Sequence, residues 1–324
     1  MSNPILYAYD FNGQGAGNVI SDIKEASLKI AQDELAWVHL DVNNPETKGW
    51  LEKELSYLDP FVVSALIAEE TRPRITEIND GALIILRGVN LNENANPEDM
   101  VSIRLWVDSH RIISVERRSL KAVYEISEKI KKGKGPIDAG RFITMLITSL
   151  FEKMEPVISE LDDRTDNIEE QILDSADMTL RENIIDIRKK AIILRRYMAP
   201  QKDAIGQLRL SEQNWIKPEY KRHLQENYDR ILRYVEDLDA IRERAQIVKD
   251  ELANILSDRL NKNMYVLSVI AAIFLPLGFL TGLLGINVGG IPGADNVDAF
   301  WVFCAILIVL VIAQIAFFKK QKWF

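Results

Sequence analysis

A protein that holds or moves a metal ion must offer it oxygen, nitrogen or sulfur donors, so those side chains come first. The chain has one cysteine, Cys304, and three histidines, His39, His110 and His223, far apart in sequence. A site that strips zinc of its water needs Cys, His and carboxylate ligands in a closed set. These four residues do not make one, and a lone cysteine excludes both an internal disulfide and a Cys-rich zinc site. Carboxylates are more abundant. Glu160, Asp162, Asp163, Asp166, Glu169, Glu170, Asp174 and Asp177 crowd one stretch, which is either a solvated helix face or a surface that concentrates cations through its single-sign field. Asp250 and Asp258 precede a long apolar run, and Asp295 and Asp298 precede a second one. Between the runs stands Gly285-Ile286-Asn287-Val288-Gly289-Gly290-Ile291-Pro292-Gly293. No phosphate loop and no nucleophile–His–acid grouping stands out, so an enzyme is not expected.

The two apolar runs must position that turn. Tyr265 to Leu284 and Phe300 to Phe318 carry no charge, and each is long enough as a helix to cover the roughly 30 Å hydrocarbon core of a bilayer. Arg259 and Lys262 precede the first run, and Lys319, Lys320 and Lys322 follow the second. The connecting loop has neither Lys nor Arg. Positive residues stay inside, so both termini are expected in the cytoplasm with the short loop outside. Trp301 and Trp323 mark the ends of the second run, where indole rings favour the interface. The N-terminus (Met1 to Asp10) lacks a basic segment followed by an apolar core, so no signal peptide is expected and the long N-terminal region belongs in the cytosol. A net charge of −8 argues against nucleic acid as a partner.

The cytoplasmic part has two characters. Ala36 to Asp41, Ala82 to Val89, Ile103 to Val107 and Arg111 to Val115 read as strands, with a hairpin turn at Asp108–Arg111 and a helix over Pro60 to Glu70. Beyond Gly133-Lys134-Gly135-Pro136, helical periods run over Asp138–Leu173 and Thr179–Leu210. Pro218 then opens a helix with no further Gly or Pro before Pro276. Leu224, Tyr228, Ile231, Val235, Leu238, Ala245, Val248, Leu252 and Ile255 form a heptad seam that packs against copies or against neighbouring helices. The chain thus divides into an α/β cytoplasmic domain (1–135), a cytoplasmic helical hairpin (136–217) and a stalk helix running into the first transmembrane helix (218–284). An outer loop (285–299), a second transmembrane helix (300–318) and a basic cytoplasmic tail (319–324) complete it.

Two spans cannot enclose a water-filled path, and a bare ion in lipid is prohibitively costly. If the protein conducts, several copies must each give a helix to a central pore. The first span supplies a stripe for that axis: Asn261, Met264, Leu267 or Ser268, Ala271, Leu275 and Gly278, with Thr281 also small and weakly polar. The alternative is that the small residues only allow close helix packing.

A Gly-x-Asn turn after the first of two C-terminal spans resembles the CorA superfamily of divalent-cation transporters, where the tripeptide is normally Gly-Met-Asn. Ile286 in place of Met and the following Gly-Gly-Ile-Pro-Gly resemble its ZntB branch, associated with zinc transport. Glu69-Glu-Thr-Arg-Pro-Arg74 and Leu194-Arg-Arg-Tyr-Met-Ala-Pro-Gln201 support that branch. The resemblance implies a funnel-shaped homopentamer in the inner membrane, with a pore lined by the first span and Asn287 ringing its outer entrance. Gly285 would let the backbone turn and Ile286 would pack behind it. Amide oxygens at Asn287 can hydrogen-bond the water shell of a dication without removing it, which suits an ion that dehydrates reluctantly. The expected cargo is Zn2+, with Mg2+, Co2+, Ni2+ and Cd2+ as alternatives and no tightly bound cofactor. The branch also implies proton-coupled import. Neither span contains Asp, Glu, His or Lys, so protons would have to use water or the mouth charges Asp250, Asp258, Asp295 and Asp298. A membrane-anchored coiled-coil scaffold or signalling protein would explain the heptads but not the turn.

Overall fold

The computed structural model describes residues 3–32, 34–174, 178–286, 291, 293 and 295–321. The chain forms two compact units, Met1–Asp250 and Glu251–Phe324.

The first unit is built on one sheet. Its strands are β1 (Ile5–Phe11), β2 (Gly17–Val19), β3 (Ala36–Asp41), β4 (Arg74–Ile78), β5 (Gly81–Gly88), β6 (Val101–Val107) and β7 (Arg111–Glu116), in the order β2-β1-β3-β7-β6-β5-β4. The central pair β3–β7 is parallel. The β6–β7 hairpin is closed at Asp108, whose N–H donates to the Arg111 carbonyl at 3.0 Å and whose carboxylate accepts the amides of His110 and Arg111.

Strand β3 reads as an apolar run because both of its faces are covered. Helices α1 (Ile23–Ile30), α2 (Pro45–Glu54) and α3 (Pro60–Ile67) cover one face, where Ala26, Leu51, Val62 and Leu66 share a core with Val38, Leu40 and Val115. Asn44 and Asp59 start α2 and α3 by accepting backbone N–H groups, each with proline in the first turn. Helices α4 (Lys121–Lys131) and α5 (Ala139–Asp174) cover the other face. There Trp37 meets Phe142 edge-on at 4.9 Å, and the Tyr9 hydroxyl lies 2.7 Å from Ser127 Oγ. Successive residues of a strand point to opposite faces, which places Trp37 and His39 together, away from Val38 and Leu40.

Helices α5, α6 (Met178–Leu210) and α7 (Pro218–Leu284) complete the long-helix part. Of the two readings of the heptad seam, the N-terminal half of α7 takes its own neighbours. Leu224, Ile231, Val235, Leu238, Ala245 and Val248 are buried within a single chain. Tyr234 packs edge-on against Phe151 of α5, and Arg195 of α6 binds Asp239 at 2.6 Å. This is why the first compact unit runs on to Asp250 instead of stopping before Pro218.

The same packing gives part of the acidic stretch an internal role. Asp162, Asp166 and Glu169 are four and three residues apart, hence on one face of α5. All three accept hydrogen bonds from Arg244 of α7, with Asp162 at 2.9 Å and Glu169 at 2.6 Å. Hydrogen bonds to Glu169 and Asp166 raise the Arg244 pKa. Glu160, Asp163 and Glu170 remain exposed. Arg244→Gln leaves three carboxylates facing one another, and we expect a loss on the order of 1 kcal/mol, since the groups are partly exposed. The loss should shrink in high salt. Thermal unfolding at low and high ionic strength measures it, and a salt-independent shift would contradict the clamp.

Candidate ion path

In the second unit the C-terminal part of α7 and the helix α8 (Ala299–Lys320) are both long and apolar enough to cross a membrane. Buried helices of a soluble core would pass the same test of length and composition, but these are unburied. From Ala253 to Leu284 Val269 alone is buried, and in α8 Phe318 alone is. Leu267, Leu275, Phe279, Ile308, Val309 and Ile312 are each more than half exposed. Apolar surface of this extent requires lipid or other copies of the chain to cover it.

The stripe residues Asn261, Met264, Leu267, Ser268, Ala271 and Leu275 are all exposed. At about 100° per residue, Met264, Ser268, Ala271 and Leu275 stay within a narrow sector of the helix. The Ser268 hydroxyl is turned back on the helix, donating to the Met264 carbonyl at 2.8 Å. Gly278 and Thr281 take a different place. With Phe274 and Leu277 they line a groove of about 490 Å³ whose opposite wall is Leu307, Ile308, Val311 and Ile312 of α8. Thr281 donates to the Leu277 carbonyl at 2.9 Å, which satisfies its hydroxyl inside the helix. Gly278 and Thr281 thus line the groove facing α8, while Gly282, one of the small residues that recur along the first span, continues the stripe of Ala271 and Leu275 by its spacing.

The turn begins in line with the helix. The Gly285 N–H donates to the Thr281 carbonyl at 2.9 Å, and a Cβ on Gly285 would sit 2.8 Å from that same oxygen. Glycine is what lets the chain leave the helix there without displacing its last turn. Ile286 is 48% exposed in the single chain. Asn287 lies outside the described residues. Among the mouth charges, both carboxylate oxygens of Asp250 accept from Gln246 Nε2 at 2.8 Å, and Asp258, Asp295 and Asp298 are exposed. Asp298 precedes α8 without a side-chain capping bond.

Away from the spans, the nitrogen and sulfur donors do not gather. His39 is fully buried, with Nδ1 2.7 Å from Ser114 Oγ and Nε2 3.3 Å from Glu116. It belongs to the sheet. His223 sits on α7 beside Glu226, and Cys304 is half-buried on α8. Among the described residues, no three His, Cys, Asp or Glu side chains are grouped to hold a metal ion.

A family model described as "CorA-like Mg2+ transporter protein" matches residues 32–320. The chain belongs to the CorA-like family. Within that family it is 36% identical over 321 residues to the divalent cation transporter CmaX of Pseudomonas aeruginosa, covering 98% of this chain and 96% of the relative. It is also 36% identical over 318 residues to the zinc transport protein ZntB of Pectobacterium atrosepticum, covering 98% of this chain and 95% of that one. The solved structure of full-length CmaX superposes with a TM-score of 0.86 at 35% identity, covering 100% of this chain and 99% of that one. The CorA magnesium transporter of Methanocaldococcus jannaschii, at 18% identity and a TM-score of 0.80 over 100% of both chains, shares the CorA-like fold.

Proposed function

We propose that this protein carries divalent cations across the membrane, zinc foremost, through a pore to which each of five copies gives the membrane part of α7. The observation that carries the reading is the pair of unburied apolar helices joined by Gly285-Ile286-Asn287, in a chain 36% identical to zinc and divalent-cation transporters over almost its whole length. The donor chemistry supports a hydrated ion. With no grouped His or Cys among the described residues, the cation keeps its water and is recognised through it by the amide of Asn287. Asp295 and Asp298 outside and Asp250 and Asp258 on the cytoplasmic side raise the local cation concentration at the two mouths. The distribution of Lys and Arg supports an orientation in the inner membrane with both termini in the cytoplasm. Import follows from an inside-negative potential acting on a dication. Protons coupled to import run through water and the mouth carboxylates, because the spans hold no carboxylate or histidine of their own.

Magnesium transport is the second reading, favoured by the description of the matching family model. Purified protein in liposomes loaded, in separate samples, with zinc-sensitive and magnesium-sensitive dyes decides between them. Zinc flux that magnesium, cobalt or nickel only partly competes away supports the first reading. Magnesium flux without zinc flux supports the second. No flux of any dication would leave a membrane-anchored scaffold and overturn both.

A further inference from the structure

A cavity of about 780 Å³ in the first unit is lined by six arginines, Arg72, Arg87, Arg104, Arg117, Arg118 and Arg196. They come from the segment after α3, from β5 and β6, from the end of β7 and from α6. Glu69–Arg74 and Leu194–Gln201, well separated in sequence, both reach this place. Gln201 is fastened to β5, accepting the Arg87 N–H at 2.7 Å and donating to the Arg87 carbonyl at 3.0 Å.

Four carboxylates also line the cavity, yet none pairs with these arginines among the described residues. Glu69, Glu70 and Asp99 are exposed, and Glu98 faces Lys190 at 4.0 Å. Arg87 is satisfied by carbonyls, donating to Thr71 and Met100, and lies 4.2 Å from the Tyr197 ring centre. Arg104 is not satisfied. It is 1% exposed, its Nε and Nη1 have no partner, and Nη2 reaches only the Glu69 carbonyl at 3.4 Å. Burial, with Arg117 and Arg87 nearby, lowers its pKa to about 10, so it stays charged at neutral pH. A buried cation with no counter-charge is expensive, and the fold tolerates it at a concave, ligand-sized place.

We propose that this cavity binds a small anion carrying two or more phosphate groups. The guanidinium fork matches phosphate oxygens two at a time. One orthophosphate would occupy little of the volume and engage few of the six arginines. The only aromatic side chain in the lining, Tyr197, already carries the guanidinium groups of Arg87 and Arg196, so the ligand is held by its phosphates and not by stacking of a base. A long nucleic acid is disfavoured by the carboxylates beside the arginines and by the net charge of −8.

The test is calorimetric titration of inorganic diphosphate into the purified full-length protein in detergent, with EDTA present and ionic strength fixed. We expect saturable binding, at least about tenfold tighter than orthophosphate or sulfate, and weakened about tenfold or more by Arg104→Gln. Arg118→Ala, at an exposed position that the fold does not need, should weaken it several-fold and guards against misfolding of the buried variant. Arg222→Ala, exposed on α7, should leave it unchanged. A nucleoside diphosphate that binds as well as inorganic diphosphate points to an organic source of the phosphates, and inorganic diphosphate alone to a free one. No saturable binding, equal binding of orthophosphate, or diphosphate binding unchanged in both Arg104→Gln and Arg118→Ala overturns the proposal.

Discussion

Asn287→Ala should stop zinc flux into liposomes while the protein still folds and inserts. The expected fall is about 100-fold or more. In the proposed five-copy pore it follows from losing, in each copy, an amide proposed to hydrogen-bond the ion's water at about 0.5–1.5 kcal/mol apiece, where every 1.4 kcal/mol is tenfold. Alanine removes the acceptor without adding bulk, so a fall in flux reports recognition and not obstruction. Asn287→Asp is the informative partner. A ring of carboxylates would hold the dication more strongly at the entrance and slow its departure, since conduction needs sites that bind but also release. We expect tighter zinc binding with reduced throughput. Unchanged flux in Asn287→Ala would remove the turn from the mechanism and return Gly285 to the role of a plain connector.

What was legible in the sequence, and what was not, divides along a physical line. Continuous apolar runs announce themselves, so the spans now seen within Pro218–Leu284 and in Ala299–Lys320 could be read directly. So could β3 and β7, whose β-branched and aromatic residues stand between turn formers. The partner of an amphipathic face is less readable. The heptads of α7 announced a seam but not its target, and the structure gives that seam to α5 and α6 through Tyr234, Asp239 and Arg244. Gly278 and Thr281 show the same ambiguity, since a small residue suits a pore axis and a helix contact equally well. The arginine cavity was not visible at all. Its six guanidinium groups come from five separate stretches of the chain, none of which stands out by itself. An unpaired Arg104 looks in sequence like any charge on an apolar strand, and only its burial marks it. A sheet-strand arginine flanked by Ile103 and Leu105 was the one available signal.

Trp37→Ala should produce the largest loss of stability in the first unit. The side chain is fully buried at the centre of the sheet. It packs edge-on against Phe142 at 4.9 Å, stacks near Tyr9 at 5.9 Å and donates from Nε1 to Ser114 Oγ at 2.8 Å. Deleting an indole from such a site costs about 3–5 kcal/mol, because the surrounding layers collapse only in part into the cavity left behind. Trp37→Phe keeps most of the volume and loses the N–H donor, so we expect about 1–2 kcal/mol. Val19→Ala, at the exposed sheet edge, should cost less than about 0.5 kcal/mol. Hydrogen exchange of the β1, β3 and β7 amides in the full-length protein reads the effect where it arises. A Trp37→Ala variant no more labile than Val19→Ala would mean that Phe142 and the strands repack around the gap. The expected loosening should reach further than the sheet. Through Phe142 the indole seats α5, and α5 carries the three carboxylates that hold Arg244 of α7. A sheet that loosens at Trp37 should therefore weaken the α5–α7 clamp as well, and exchange protection should fall around Asp162–Glu169 in the same variant.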